Sequence, residues 1–163
     1  MNIIWHGHSC FEITGKDGTI VFDPYQANSV PGLNSLKLKA NLVLCSHEHD
    51  DHNARNCVEV APKDFKVTYI ETYHDHHQGS HRGKNTIHIV DFEDLKVVHM
   101  GDIGCMMDDV SKLKNCDVLM IPIGGYYTID TKEALKYIER IQPRIVIPMH
   151  YHSHEFGYDV LST

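Results

Sequence analysis

Residues 42–46 form a compact apolar run, Leu-Val-Leu-Cys-Ser, and directly after it comes His47-Glu48-His49-Asp50-Asp51-His52. This H-x-H-x-D-H segment constrains the chain more than any other feature. It requires a fold that ends a buried strand abruptly and leaves several potential ligands at the strand's exit. In an extended exit His47 and His49 project to the same side, since side chains alternate with period two, so both can bind one metal ion. The chain must then turn, which places Asp51 and His52 to reach a second ion nearby. Two close cations need anionic and neutral nitrogen ligands mixed, and this segment supplies both. A polar stretch opening a helix, where acids are favoured, would explain any two of these residues but not four in this order.

Histidine usage agrees. The chain has 163 residues and 14 of them are His, more than solubility requires and suited to the commonest metal ligand. The remaining composition, 42% apolar and 23% charged, is that of an ordinary globular domain. A net charge of -7 argues against a nucleic-acid or anionic-membrane surface, which would need a basic patch. No signal-peptide pattern and no apolar run of membrane-spanning length is present, so a cytoplasmic protein with no membrane partner is expected. The five cysteines are widely spaced with no C-x-x-C pair, which indicates neither a zinc ribbon nor a disulfide framework.

Turn signals divide the chain into short strands at Asn2–His6, Cys10–Thr14 and Thr19–Asp23. A polar loop from Pro24 to about Asn34 follows, then the buried strand and histidine segment, then a short helix expected over Ala54–Ala61. Strands are expected at Lys66–Thr72, at Thr86–Phe92 and Lys96–Met100 as a hairpin around Glu93-Asp94, at Asp117–Ile123 and at Arg144–Pro148. Asp130 with Glu133 three residues on predicts a capped helix over Thr131–Ile141. Many strands with few, peripheral helices predict two sheets with helices packed outside, in one domain spanning residues 1–163.

Several motifs in fixed order carry a resemblance: Trp5-His6-Gly7-His8-Ser9-Cys10-Phe11, Phe22-Asp23-Pro24, the His47–His52 segment, His99-Met100-Gly101-Asp102 and Ile147-Pro148-Met149-His150-Tyr151. Together they resemble the metallo-β-lactamase superfamily, and more narrowly its small cytosolic branch of ascorbate-6-phosphate lactonase-like proteins. The resemblance implies an α/β fold, the αββα sandwich of two mixed sheets packed face to face with helices outside. It implies two divalent metal ions, Zn first, with Mn or Fe as alternatives. His47, His49 and a third histidine would hold one ion; Asp51, His52 and a late histidine, His150, the other; Asp102 would bridge them. The third histidine is assigned to His74, nearest the preceding strand's end, although the same loop also offers His76, His77 and His81. Relatives in that branch continue past the point where this sequence ends, so it is either a compact member or lacks a C-terminal segment.

Other residues are assigned more loosely. His8, Asp23 and His99 are candidates to orient ligand imidazoles through their other ring nitrogen. Tyr126, Tyr127 and Thr128, after a strand and a Gly-Gly pair, are candidates to bind substrate. His88, His152 and His154 are read as structural or solvent-facing. Asp51 and Asp102 are the expected catalytic carboxylates. The chemistry expected is hydrolysis of a small-molecule ester, lactone or phosphoester by metal-activated water, in a monomer or homo-oligomer. An RNA or DNA phosphodiesterase is the first alternative, but no basic substrate-binding insertion is present. An iron-dependent oxidoreductase on the same ligands, similar to sulfur dioxygenases, is the second.

Overall fold

The computed structural model describes residues 1–163. Three strands, β1 (Asn2–Gly7), β2 (Cys10–Gly15) and β3 (Gly18–Phe22), run antiparallel, and β5 (Leu42–Leu44) joins β3 in parallel, giving the order β1-β2-β3-β5. A minor ladder pairs β4 (Leu38–Ala40) with β6 (Val58–Val60). The second large sheet, in the order β11-β10-β9-β8-β7, contains β7 (Lys66–Tyr73), β8 (Lys84–Phe92), β9 (Leu95–His99), β10 (Val118–Pro122) and β11 (Ile145–Met149). The β8–β9 hairpin closes at Glu93-Asp94, both with positive φ (52° and 63°), the backbone of a turn that matches strand twist.

Alternating side chains explain the layering. Phe11, Ile13, Ile20, Phe22 and Leu44 on one sheet bury themselves against Val90, Phe92, Val97, Val118, Met120 and Met149 on the other. The opposite face of the second sheet packs Ile87, Ile89, Val98, Leu119 and Ile121 under α1 (Thr131–Ile141), through Ala134, Tyr137 and Ile141. Helix α1 begins with a full capping box, Asp130 and Glu133 each accepting the other's backbone N–H. The two-sheet sandwich expected from the sequence is thus present, with this single α-helix on one outer face. The other outer face is covered by Tyr25, Val30, Ala40 and Val58, from loops and the minor ladder. No helix is long and apolar enough to cross a membrane.

The helix expected over Ala54–Ala61 does not form. Arg55–Cys57 makes one 3-10 turn without a side-chain cap, and the chain then extends into β6. β-branched Val58 and Val60 favour that strand, and Pro62 discourages a helix at the residue before it.

Direction decides where chemistry can sit. β1, β3 and β5 share one direction in the first sheet, as do β7, β9, β10 and β11 in the second. The C-terminal ends of both sets meet at one edge of the sandwich, where Thr86 N–H donates to the Ser46 carbonyl (2.9 Å) and His150 N–H to the His8 carbonyl (3.3 Å).

His88, midway along β8, sits against the rings of Phe22 and Tyr69 with its Nδ1 buried and unpartnered. Burial pushes its pKa down to about 4, so it stays neutral in the native state while the unfolded chain takes up a proton below about pH 6.5. Its contribution to stability is therefore complete above about pH 6.5 and erodes as pH falls toward 4, by up to roughly 3 kcal/mol. Calorimetry should show a fall in melting temperature from pH 7 to pH 5 that is smaller in His88→Phe by a few degrees. An identical fall in both proteins would contradict this role.

Candidate metal centre

Six of the seven strands that end at the shared edge, all but β10, each deliver one part of the site. Gly7-His8 leaves β1, Asp23 leaves β3, the His47–His52 segment follows β5, His74 leaves β7, Asp102 follows β9, and His150 leaves β11. The Asp102 carboxylate lies in the middle. Its Oδ2 is 3.1 Å from His52 Nε2, 3.3 Å from His74 Nε2 and 2.9 Å from His150 Nε2. Donor atoms fall into overlapping groups, each within 4.8 Å: His47, His49 and His74; His8, Asp51, His52 and His150; and His47, His52 and Asp102.

Hydrogen bonds on the outer sides of the rings determine what the inner nitrogens can do. Asp23 Oδ2 accepts from His52 Nδ1–H at 2.8 Å and from the Ser46 hydroxyl at 2.6 Å, while its Oδ1 accepts from Ser46 N–H at 2.6 Å. Since the Ser46 proton is committed to Asp23, its oxygen accepts from His47 Nδ1–H at 2.9 Å. His74 Nδ1–H donates to the Tyr127 carbonyl at 3.1 Å. With Nδ1 donating, a neutral imidazole carries its lone pair on Nε2. His47, His52 and His74 therefore present bare Nε2 atoms to the centre, and those of His47 and His52 are buried without a hydrogen-bond partner.

Such an array is unfavourable by itself. Lone pairs of His52 and His74 face a carboxylate oxygen, and Asp102 Oδ1 is also buried and unpartnered. Buried polar atoms need partners, and a cation between them would satisfy all at once. The donor set, imidazole nitrogen with carboxylate oxygen, suits Zn, Mn or Fe.

Electrostatics point the same way. Burial opposes charge on Asp102, but His150 and His52 hold it well below the usual carboxylate range. Burial and the neighbouring His52 push His47 down to about 3, leaving it neutral and able to ligate. Burial also opposes a proton on His52; in the metal-free protein the carboxylates of Asp102, Asp23 and Asp51 outweigh it and raise the pKa well above the ordinary value. A cation bound there would take the place of that proton.

Backbone strain accompanies the placement. His8, Asp23 and His150 all adopt left-handed φ (53°, 41° and 53°), a conformation that costs residues other than glycine and clusters at functional sites. Gly101 is needed for a different reason. A Cβ there would lie 2.3 Å from Asn85 Oδ1 and 2.5 Å from Ser46 Cβ, and Asn85 Oδ1 is the acceptor that fixes Asp102 N–H at 2.8 Å.

The loosely assigned residues separate clearly. Burial and neighbouring His150 push His8 down to about 4, so it is neutral, and its Nε2–H donates to Asp51 Oδ2 at 3.2 Å. Asp23 orients His52 directly. His99 stacks on Phe22, donates through Nε2 to the Ser9 carbonyl and accepts Gly101 N–H on Nδ1; it bonds no ligand imidazole and stands 4.0 Å from Asp23. Tyr127 lines the 260 Å³ cavity over the centre, together with His49, Asp51, His74, Arg82, Asp102, His150 and Tyr158. Tyr126 is exposed and outside that lining, and the Thr128 hydroxyl donates to the backbone at Ile129. His76, His77 and His81 belong to none of the donor groups.

Sequence reasoning did not single out Ser46, Arg82 or Tyr158. Ser46 was visible beside His47, but its link to Asp23 depends on the β3–β5 pairing. Tyr158 donates to the Ser29 carbonyl at 2.7 Å with Asp51 Oδ2 3.3 Å away, contacts across more than 100 positions that spacing does not reveal.

Known proteins similar to this chain include metal-dependent hydrolases. A family model described as "Beta-lactamase superfamily domain" matches residues 2–150. A UPF0173 protein of Pyrococcus abyssi is 31% identical, covering 96% of this chain and 86% of its own length. A UPF0173 metal-dependent hydrolase of Thermoplasma acidophilum is 29% identical over 94% of this chain and 84% of its own. The crystal structure of a candidate Zn-dependent hydrolase of the metallo-β-lactamase superfamily from Thermotoga maritima superposes with a TM-score of 0.74 at 27% identity, covering 98% of this chain and 80% of that one.

Asp23→Asn is expected to weaken metal retention by about 10- to 100-fold, the range for residues that orient a ligand imidazole, and Ser46→Ala to weaken it less. Competition against a chelator of known affinity measures both. Unchanged affinity in Asp23→Asn would show that the ring orientations do not depend on it.

Proposed function

This chain belongs to the metallo-β-lactamase superfamily, and on that premise we propose that it hydrolyses a small ester, lactone or phosphoester at a centre of two divalent metal ions. One ion would be held by His47, His49 and His74, the other by Asp51, His52 and His150, with Asp102 between them. Zn suits this donor set best, and Mn or Fe are compatible with it. The observation that carries the reading is the convergence of His52, His74 and His150 Nε2 on one oxygen of Asp102. Metal ions bound there would supply an activated water at neutral pH and a Lewis acid for the scissile oxygen.

The chain's own residues do the rest. Asp51 has one oxygen fixed by His8 and sits at the cavity wall, where a carboxylate can accept a proton from the attacking water and pass it on. His8 keeps Asp51 turned toward the centre. The Tyr158 hydroxyl, whose pKa burial and Asp51 raise above the ordinary tyrosine value, stays protonated; its one proton rests on the Ser29 carbonyl and would have to turn from it to donate to a developing negative charge. Tyr127 closes one side of the cavity and, through its carbonyl, fixes His74. A cavity of 260 Å³ fits a small molecule.

Metal-free protein reloaded separately with Zn, Mn and Fe should hydrolyse members of a panel of aryl esters, lactones, phosphodiesters and phosphomonoesters. Asp102→Ala should lose bound metal and drop turnover more than about 100-fold, beyond the range for residues that only orient a ligand. Full activity with any metal in that variant would contradict the assignment.

A further inference from the structure

The chain contains four arginines, and three are engaged. Arg55 forms a two-bond pair with Glu48, Arg140 donates to the carbonyls of Met107 and Asp108, and Arg144 pairs with Asp117. Arg82 alone has neither a carboxylate nor a carbonyl on its guanidinium. It lies instead over the rings of Tyr127 and Tyr126, 5.2 and 5.8 Å from their centroids. Stacking on aromatic faces holds a guanidinium in place while leaving the donors at its edge free.

The backbone beneath Arg82 is equally fixed. Buried Asp75 accepts N–H groups from His77 (2.7 Å), Gly79 (3.0 Å), His81 (3.1 Å) and Arg82 (2.8 Å), so the loop is wound around one carboxylate. His74 N–H donates to the Gly83 carbonyl at 3.1 Å and closes the loop's neck. A ligand candidate, His74, therefore opens a rigid loop that ends in an unengaged cation.

Arg82 lines two cavities. One is the 260 Å³ cavity with His49, Asp51, His74, Asp102 and His150; the other, of 420 Å³, lies on the side of His47, His49 and Lys84. Lys84 lines only the second space and is paired there with Glu71 at 3.2 Å, so Arg82 is the cation that reaches a guest in both. In a protein of net charge -7 an unneutralised guanidinium beside the reaction centre is a selective feature.

We propose that Arg82, held by Tyr126 and Tyr127, binds an anionic group of the substrate, a carboxylate or a phosphate, and so selects acidic small molecules for hydrolysis. Arg82 is a binding residue here, Tyr126 and Tyr127 are its platform, and the selectivity rests on the hydrolase reading above. A planar fork of donors matches either anion with two parallel hydrogen bonds.

Three aryl esters with the same scissile bond and acyl tails ending in methyl, carboxylate or phosphate test this with the metal-loaded protein. Their non-hydrolysable amide counterparts, followed by calorimetric titration, test binding without turnover. Wild type should favour at least one anionic tail by roughly 10- to 100-fold, seen in KM and in amide affinity, and the better of the two identifies the anion. Arg82→Gln should reduce that preference to within about threefold, and Arg82→Lys, which keeps the charge but not the fork, should restore part of it. Metal content is measured in each variant to confirm an intact centre. Equal binding of all three amides by wild type, or a preference that survives in Arg82→Gln, would overturn the proposal. Selective amide binding without turnover of any ester would instead count against the hydrolase reading and leave Arg82's role standing.

Discussion

The bond network of the Asp23 carboxylate is the constraint on which the site depends. One buried side chain accepts Ser46 N–H, Ser46 O–H and His52 Nδ1–H, and through Ser46 it also sets His47. Burying a carboxylate is costly unless its oxygens are bonded, and these three donors offset that cost. They also commit both rings to a single tautomer. Because Asp23 follows β3 and Ser46 follows β5, the same bonds pin two parallel strands of the first sheet at the level of the centre. Orientation of the candidate ligands and registration of the sheet are thus one requirement.

The second sheet meets this fixed half from the other side. Asp102 and His150 come from ends of strands that run parallel to β10, and His74 from an edge strand running the same way. Left-handed backbone at His8, Asp23 and His150 turns each side chain inward just past its strand. Each such residue costs of order 1–3 kcal/mol, which the packed sandwich between Phe11, Phe22, Phe92 and Met120 must sustain. Binding of cations by the converged nitrogens would return part of that cost to the folded state.

Much of this was legible in the sequence, for identifiable reasons. The H-x-H-x-D-H segment, Gly101-Asp102 and Met149-His150 each follow an apolar run, and a strand end is where backbone position is best fixed. His74 was chosen from its loop on that ground, and the structure brings it to Asp102 while His76, His77 and His81 stay outside. Helix α1 was legible through its local capping box. What sequence could not supply is pairing between distant segments: Ser46 between Asp23 and His47, Tyr158 near Asp51, Arg82 on two tyrosines. The same limit explains the misread Ala54–Ala61. A short helix was expected there, but partnership with Leu38–Ala40 favoured a strand at Val58–Val60.

The proposed hydrolase would separate reaction from selection. The candidate ligands and the residues that would orient them are delivered by strand ends, while Arg82, Tyr127 and Tyr158 reach the cavity from loops, where specificity commonly resides. The central claim is that the inward-facing nitrogens bind metal together with Asp102. X-ray absorption spectroscopy on the Zn-loaded protein tests it most directly. Nitrogen and oxygen coordination with strong imidazole scattering, and a metal–metal vector of about 3.5–4 Å, are expected. A sulfur-containing shell, or a hydrated ion without imidazole scattering, would contradict it.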